Sequence, residues 1–319
     1  MSLATSNTAA GSGWLLHNAY AEEWAKVNHD AIAEAGRDGD GFFIVNCAYG
    51  STTRYARSTS LGDHVVNFRR DSDGGGKNNE TSCGILRSVL NGLLNGGFSG
   101  LTQGHCAVNL AVPRHVSTAD FLAGGGNRRS EIDSRSREMI CRWFELTAFT
   151  TLFRTHDGDC GMNDRNGNLM SAYDDDVVMK SLARWSQVYV SLSEYRMRLM
   201  LEASAKGFPV VRHPLLHFPN DSNFLGRTSS KRRGRNDDAS TTRCSAFMLG
   251  DLVYVVPILN SGVVRSEVYL PQGAWIHLWV RIVCTTNSKS VLHFVFHDEL
   301  PHRPIPLSLH YLSQRVENN

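Results

Sequence analysis

Amphipathic helical stretches alternate with short apolar runs through much of the chain, and this alternation constrains the fold more than any other feature. Residues 14–36, WLLHNAYAEEWAKVNHDAIAEAG, carry apolar and aromatic positions at spacings of three and four, with Gly36 suited to a helix C′ position. The run Phe42–Val45, bounded by Gly and Asn, reads as a buried strand. A turn-rich segment follows, GSTTRYARSTSLGDHVVNF, in which Asp63 comes directly after a glycine. Residues 84–95, GILRSVLNGLLN, predict a helix ended by Gly96 and Gly97. FSGLTQGHCAVNLAV then reads as a strand opening into a polar loop. Helices and strands in this order build βαβ units and a parallel sheet, either doubly wound or closed as a (β/α) barrel.

The segment Glu138–Gly158, EMICRWFELTAFTTLFRTHDG, predicts one amphipathic helix with a polar exit. Ile140, Trp143, Phe144, Thr147 and Ala148 recur at helical spacing, as do Leu146, Phe149 and Phe153. The exit delivers Arg154, His156 and Asp157 into a glycine turn. Residues 174–206 predict a long helix, with acids at its start and Lys206-Gly207 at its end matching the helix dipole. PVVRHPLLHF predicts a short strand punctuated by proline.

Two stretches interrupt this pattern. Residues 114–136 are rich in Ser, Gly and Arg with little periodicity. Residues 220–243 hold the basic cluster Lys231, Arg232, Arg233 and Arg235. No aromatics interleave that cluster, so it reads as a solvated insert rather than a nucleic-acid patch. From Ala246 onward, short β-branched and aromatic runs separated by Gly, Pro and Asn predict an all-β module.

A net charge of +2 points to neither nucleic acid nor an anionic membrane. No apolar run reaches the roughly 18 residues of a membrane-spanning helix. The first residues, MSLATSNTAAGSGW, lack the basic and apolar regions of a secretory signal. Seven scattered cysteines without a CxxC pair suggest neither zinc nor a disulfide framework, and so favour a reducing, cytoplasmic setting. Cys141, inside a predicted core helix, reads as a packing residue.

LFRTHDG after an aromatic helix, PVVRHPLLH, LNGLLNGGFSGLTQGHC and FMLGDLVYVVPILNSGVVRSEVYLPQGAWIHLW together resemble glycoside hydrolase family 31, in its α-glucosidase and sulfoquinovosidase branch. The resemblance implies an α/β fold: the C-terminal half of a (β/α)8 TIM barrel followed by an all-β sandwich module. It divides the chain into a disordered 1–13, a partial barrel at 14–220 with an irregular insert near 113–136, a linker or insert at 221–243, and a sandwich at 244–319. Residues 114–136, 222–242 and about 280–300 are unlike the family's text. Trp275 and Trp279 match core positions of the family's sandwich.

Members of this family are retaining α-glycosidases, which need a nucleophilic carboxylate and a carboxylic acid about 5–5.5 Å apart. By resemblance Asp63, in the Gly62-Asp63 pair after GSTTRYA, is the acid/base. His156 of RTHDG contacts the sugar, and Arg154 orients the loop or touches the sugar itself. The implied partner is an α-glucoside-type carbohydrate, with no cofactor or metal. No segment resembles the family's nucleophile motif, and residues 1–13 contain no Asp or Glu. Other positions also depart from the pattern. Asn46 stands where the family has a sugar-contacting Arg, and Ser60 where it has a Trp. Ala107 replaces a pocket Asp, and Ala111 stands at the Tyr of the sulfoquinovosidase branch. The implied function is hydrolysis of α-glucosides. A truncated, inactive fragment and a sulfoquinovosidase are the alternatives.

Overall fold

The computed structural model describes residues 17–61, 85–109, 128–156, 175–225, 245–260, 263, 265–279, 283–286, 290–295 and 309–314. Helix α1 (His17–Glu34) leads to β1 (Ile44–Val45). A 3-10 turn at Thr52–Arg54 precedes β2 (Ser58–Ser60). Then come α2 (Ile85–Phe98), β3 (Gly104–His105), β4 (Val108–Asn109), α3 (Arg128–Thr147) and β5 (Thr155–His156). β1, β2 and β3 pair in parallel in that order, and β4 pairs in parallel with β5. Only Cys106 and Ala107 separate β3 from β4, so the two sheets share one broken strand. The result is a row of four parallel strands, as βαβ units require.

The small residues Ala21 and Ala25 face inward on α1, with Ala25 packed against Val45 and Ala56. The aromatic positions of its sequence pattern point outward instead. Tyr20 and Trp24 are exposed and stack at 6.4 Å. Alanine lets the helix lie close to the strands, which a ring at the same place would prevent.

Helix α2 does not stop at Gly96 and Gly97. A Cβ on Gly97 would sit 3.1 Å from the Pro209 ring, so this glycine serves helix packing. The chain turns at Gly100, with φ +85°.

Helix α3 is displaced from its predicted span. It starts at Arg128, inside the stretch read as irregular, and ends at Thr147 rather than near Phe153. Its end is chemical. The buried Arg196 guanidinium donates to Ala148 O and Thr150 O, both at 3.0 Å, taking up carbonyls a longer helix would need. Thr150 Oγ1 donates to Thr147 O at 2.8 Å and closes the last turn.

The long helix predicted over 174–206 is two: α4 (Asp176–Ser191) and α5 (Ser193–Lys206), broken at Leu192. Arg196 again explains the break, because its Nη1 takes Tyr189 O at 2.9 Å and its guanidinium lies 3.6 Å from the Tyr189 ring centroid. Asp175 caps α4 through the amides of Val177 and Val178 and pairs with Arg137 at 2.6 Å. Burial alone would raise its pKa, but the Arg137 and amide hydrogen bonds outweigh that and hold it below the usual value. α5 ends at Gly207 with φ +76°.

PVVRHPLLHF yields only β6 (Val211–Arg212), followed by a 3-10 turn at Pro214–Leu216. β6 pairs antiparallel with β7 (Phe247–Leu249). The remaining strands are β8 (Val253–Val256), β9 (Arg265–Leu270), β10 (Gly273–His277), β11 (Val283–Thr286), β12 (Ser290–Val295) and β13 (Leu309–Gln314). β11 and β12 lie within 280–300, so that stretch contributes strands. One antiparallel sheet runs β11-β10-β13-β8-β7-β6, and β12 pairs with β9.

The two sheets pack as a sandwich. Met248, Tyr254 and Trp275 meet Val268 and Leu270 of β9, and Tyr254 OH donates across to Tyr269 O at 3.1 Å. On the opposite face Phe247, Leu249, Val253 and Val255 join Trp143, Phe144, Phe149 and Leu199 in the main core. Period-two alternation therefore gives β7 and β8 two buried faces, one toward the parallel strands' helices and one toward the second sheet. Trp275 is buried and Trp279 packs edge-on against Trp185, so both are core aromatics. Cys141 is buried in the same core, and burial pushes its thiol up to about 11.

Candidate active site

Side-chain alternation sorts the four parallel strands into two faces. Val45, Leu61, Cys106 and Val108 point toward the helices: Val45 packs with Ala25, and the other three belong to or pack on the main core. The alternate positions are Ile44 and Asn46, Ser58 and Ser60, His105 and Ala107, and Arg154. Ile44 pairs in register with Ser58, Ser60 with His105, and Val108 with Thr155. One step back along the last pair, Ala107 stands opposite Arg154. The second face is thus predominantly polar. All four strands run in one direction, so Asn46, Ser60, Asn109 and His156 share the C-terminal edge, where barrel enzymes carry their chemistry.

The predicted site residues fall differently. Asp63 lies outside the described residues. The last described position before it is Leu61, whose amide bonds to His105 O at 3.0 Å. The backbone of His156 is placed in β5, paired with Asn109. Its side chain lies outside what is described. Arg154 is half-buried. Its carbonyl accepts the Val108 amide at 2.8 Å, while its Nε is buried and, among the described residues, has no hydrogen-bond partner. Of the departures from the family pattern, Asn46, Ser60 and Ala107 share the polar face. Ala111 lies outside the described residues.

Sequence reasoning passed over His105. It is fully buried, with Nδ1 3.1 Å from Thr59 O and 3.3 Å from Ser58 Oγ. A carbonyl oxygen only accepts, so Nδ1 carries the proton. Burial first, and then the Arg154 charge, push its pKa down to about 4, against the raising effect of the Thr59 carbonyl. The imidazole is therefore neutral at pH 7, and its Nε2 is a buried acceptor without a partner among the described residues. The signal that could have found it is the alternation itself, since His105 is two residues before Ala107. Among the described residues no group of three or more His, Cys, Asp and Glu side chains could hold a metal ion.

Residues 4–200 match the model for the glycosyl hydrolases family 31 TIM-barrel domain, and residues 207–310 match the family 31 C-terminal domain. The chain belongs to glycosyl hydrolase family 31. The row of four parallel strands is accordingly part of a family 31 TIM barrel, and the antiparallel module is the family's C-terminal domain.

Among family 31 relatives, a sulfoquinovosidase of Agrobacterium fabrum is 27% identical over 266 residues, covering 83% of this chain and 33% of the relative. A sulfoquinovosidase of Escherichia coli is 27% identical over 270 residues, covering 84% and 32%. The chain spans about a third of the length of these curated relatives. A family 31 sulfoquinovosidase from E. rectale, solved with an aza-sugar inhibitor, superposes with a TM-score of 0.70 at 24% identity, over 97% of this chain and 38% of that one. At that identity the likeness shows the shared fold.

Proposed function

We propose that these residues form the acid/base side of a retaining α-glycosidase site, acting on O-glycosyl bonds of α-glucosides. Asp63 is the acid/base in this reading. It would protonate the leaving oxygen as a nucleophile bonds to C1 and the glycosidic bond breaks, and deprotonate the water that later displaces that nucleophile. His156 contacts sugar hydroxyls, and Arg154 shapes the rim beside it. The observation that carries the reading is the register of β4 and β5. It brings Arg154 and His156 to the C-terminal edge shared with the strand that precedes Asp63, in a chain matched to a glycosidase barrel. No segment of the 319 residues resembles the family's nucleophile motif, so the reading assigns these residues sugar binding and proton transfer, without covalent catalysis. Acting alone they form an inactive half-site.

A sulfoquinovoside is the second reading, favoured by two relatives that are sulfoquinovosidases. The experiment is calorimetric titration with D-glucose and with sulfoquinovose. Binding of glucose that weakens about tenfold or more in His156→Ala supports the proposal, as loss of one well-made hydrogen bond predicts. Selective binding of sulfoquinovose favours the second reading. Binding of neither sugar contradicts both.

A further inference from the structure

We propose that His105 is a positioning residue for Arg154: its Nε2 lone pair receives the Arg154 Nε–H through one shared water and so fixes the guanidinium at the sugar rim. The proposal rests on the reading of Arg154 as part of that rim. His105 and Arg154 lie on the same polar face of adjacent strands, two residues apart in register level. Ala107, directly opposite Arg154, offers only a methyl group. The two atoms, neither partnered among the described residues, are complementary. Nδ1–H is committed to Thr59 O, which leaves Nε2 as an acceptor, and the Arg154 Nε–H can only donate.

Each atom is buried, and an unmade hydrogen bond there is costly. A water that accepts from Arg154 and donates to His105 satisfies both atoms. The imidazole suits this role because it stays uncharged beside a cation. An imidazolium would lose the acceptor and repel the guanidinium.

The test is nitrogen-15 NMR of the histidine-labelled protein at pH 7. The proposal predicts the Nδ1–H tautomer for His105, with Nε2 shielded by an accepted hydrogen bond. In Arg154→Lys, which lacks Nε, the Nε2 signal moves downfield toward that of an unbonded pyridine-type nitrogen. In Arg54→Lys, at an exposed arginine, it stays in place. An Nε2–H tautomer, or an Nε2 signal unchanged in Arg154→Lys, overturns the proposal.

Glucose titration then reads the consequence. His105→Gln retains an acceptor and holds affinity near that of the parent, whereas His105→Leu loses about tenfold. Equal affinities in the two variants contradict a positioning role. Failure of the parent protein to bind sugar would remove the reading of the rim, while the NMR shift still decides the contact.

Discussion

The Arg154 carbonyl accepts the Val108 amide at 2.8 Å, and this bond sets which residues of β5 share the inner face. A register slip of one residue would exchange Arg154 for Thr155 on that face and turn the polar rim toward the helices. The candidate site therefore depends on strand pairing as much as on the identity of its side chains.

Arg196 is the first place to test what holds the scaffold. Its guanidinium satisfies the carbonyls of Ala148, Thr150 and Tyr189 and lies on the Tyr189 ring. Arg196→Met keeps the aliphatic packing and removes the guanidinium from the buried carbonyls of Ala148 and Thr150, while Tyr189 O keeps the Leu192 amide. Chemical denaturation is expected to show a loss of about 3–5 kcal/mol. A loss below about 1 kcal/mol would mean that those carbonyls find other donors.

Gly250 joins β7 to β8 with φ +60°, and a Cβ there would lie 2.4 Å from both the Leu199 side chain and the Tyr195 hydroxyl. That hydroxyl donates to Leu249 O at 2.8 Å and accepts from the Leu252 amide at 3.0 Å. Gly250→Ala combines backbone strain with overpacking, for an expected cost of about 2–4 kcal/mol. A thermal unfolding midpoint equal to the parent's would contradict this packing between α5 and the sheet.

The fold was legible wherever local pattern and tertiary context agree. The alternation of α1, β1, α2 and β3 predicts parallel strands, and the β-branched runs after Ala246 predict the sandwich. The ends of α3 and α4 were not legible, because Arg196, distant in sequence from the α3 end it caps, sets both. Gly96 and Gly97 read as helix stops, yet α2 runs through them, and Gly97 sits where a Cβ would crowd the Pro209 ring. Of the site, Arg154 and His156 stood out through the RTHDG motif. His105 did not, since its meaning lies in burial and in the committed Nδ1, neither of which a sequence displays.

His105 also predicts a pH dependence. Its pKa of about 4 lies below the ordinary 6.5, so between those values the folded state binds fewer protons than the unfolded state. The resulting stability is complete above pH 6.5 and is lost as pH falls toward 4, by up to about 3 kcal/mol. His213, His217 and His277 are also held down, chiefly by burial, and act in the same direction. Denaturation midpoints from pH 4 to 7 are expected to show a shallower slope in His105→Gln. An unchanged slope would mean that this imidazole is not held neutral by the fold.

Trp275 tests the sandwich. It packs with Phe218 and Tyr254, and its indole N–H donates to Pro271 O at 2.9 Å. Trp275→Ala is expected to cost about 3–5 kcal/mol. Retained stability together with weakened sugar binding would instead mark this ring as a carbohydrate platform.

The most direct test of the central claim is formation of glycosyl azide from phenyl α-glucoside. In the proposed reading azide takes the place of a nucleophilic carboxylate: its nitrogen bonds to C1 from the opposite face while the C1–O bond breaks, and Asp63 would give its proton to the departing phenol oxygen. The account predicts no turnover without azide, β-glucosyl azide with it, and a loss of about 100-fold or more in Asp63→Asn. Azide product formed equally well by Asp63→Asn, no azide product at all, or hydrolysis without azide would contradict it.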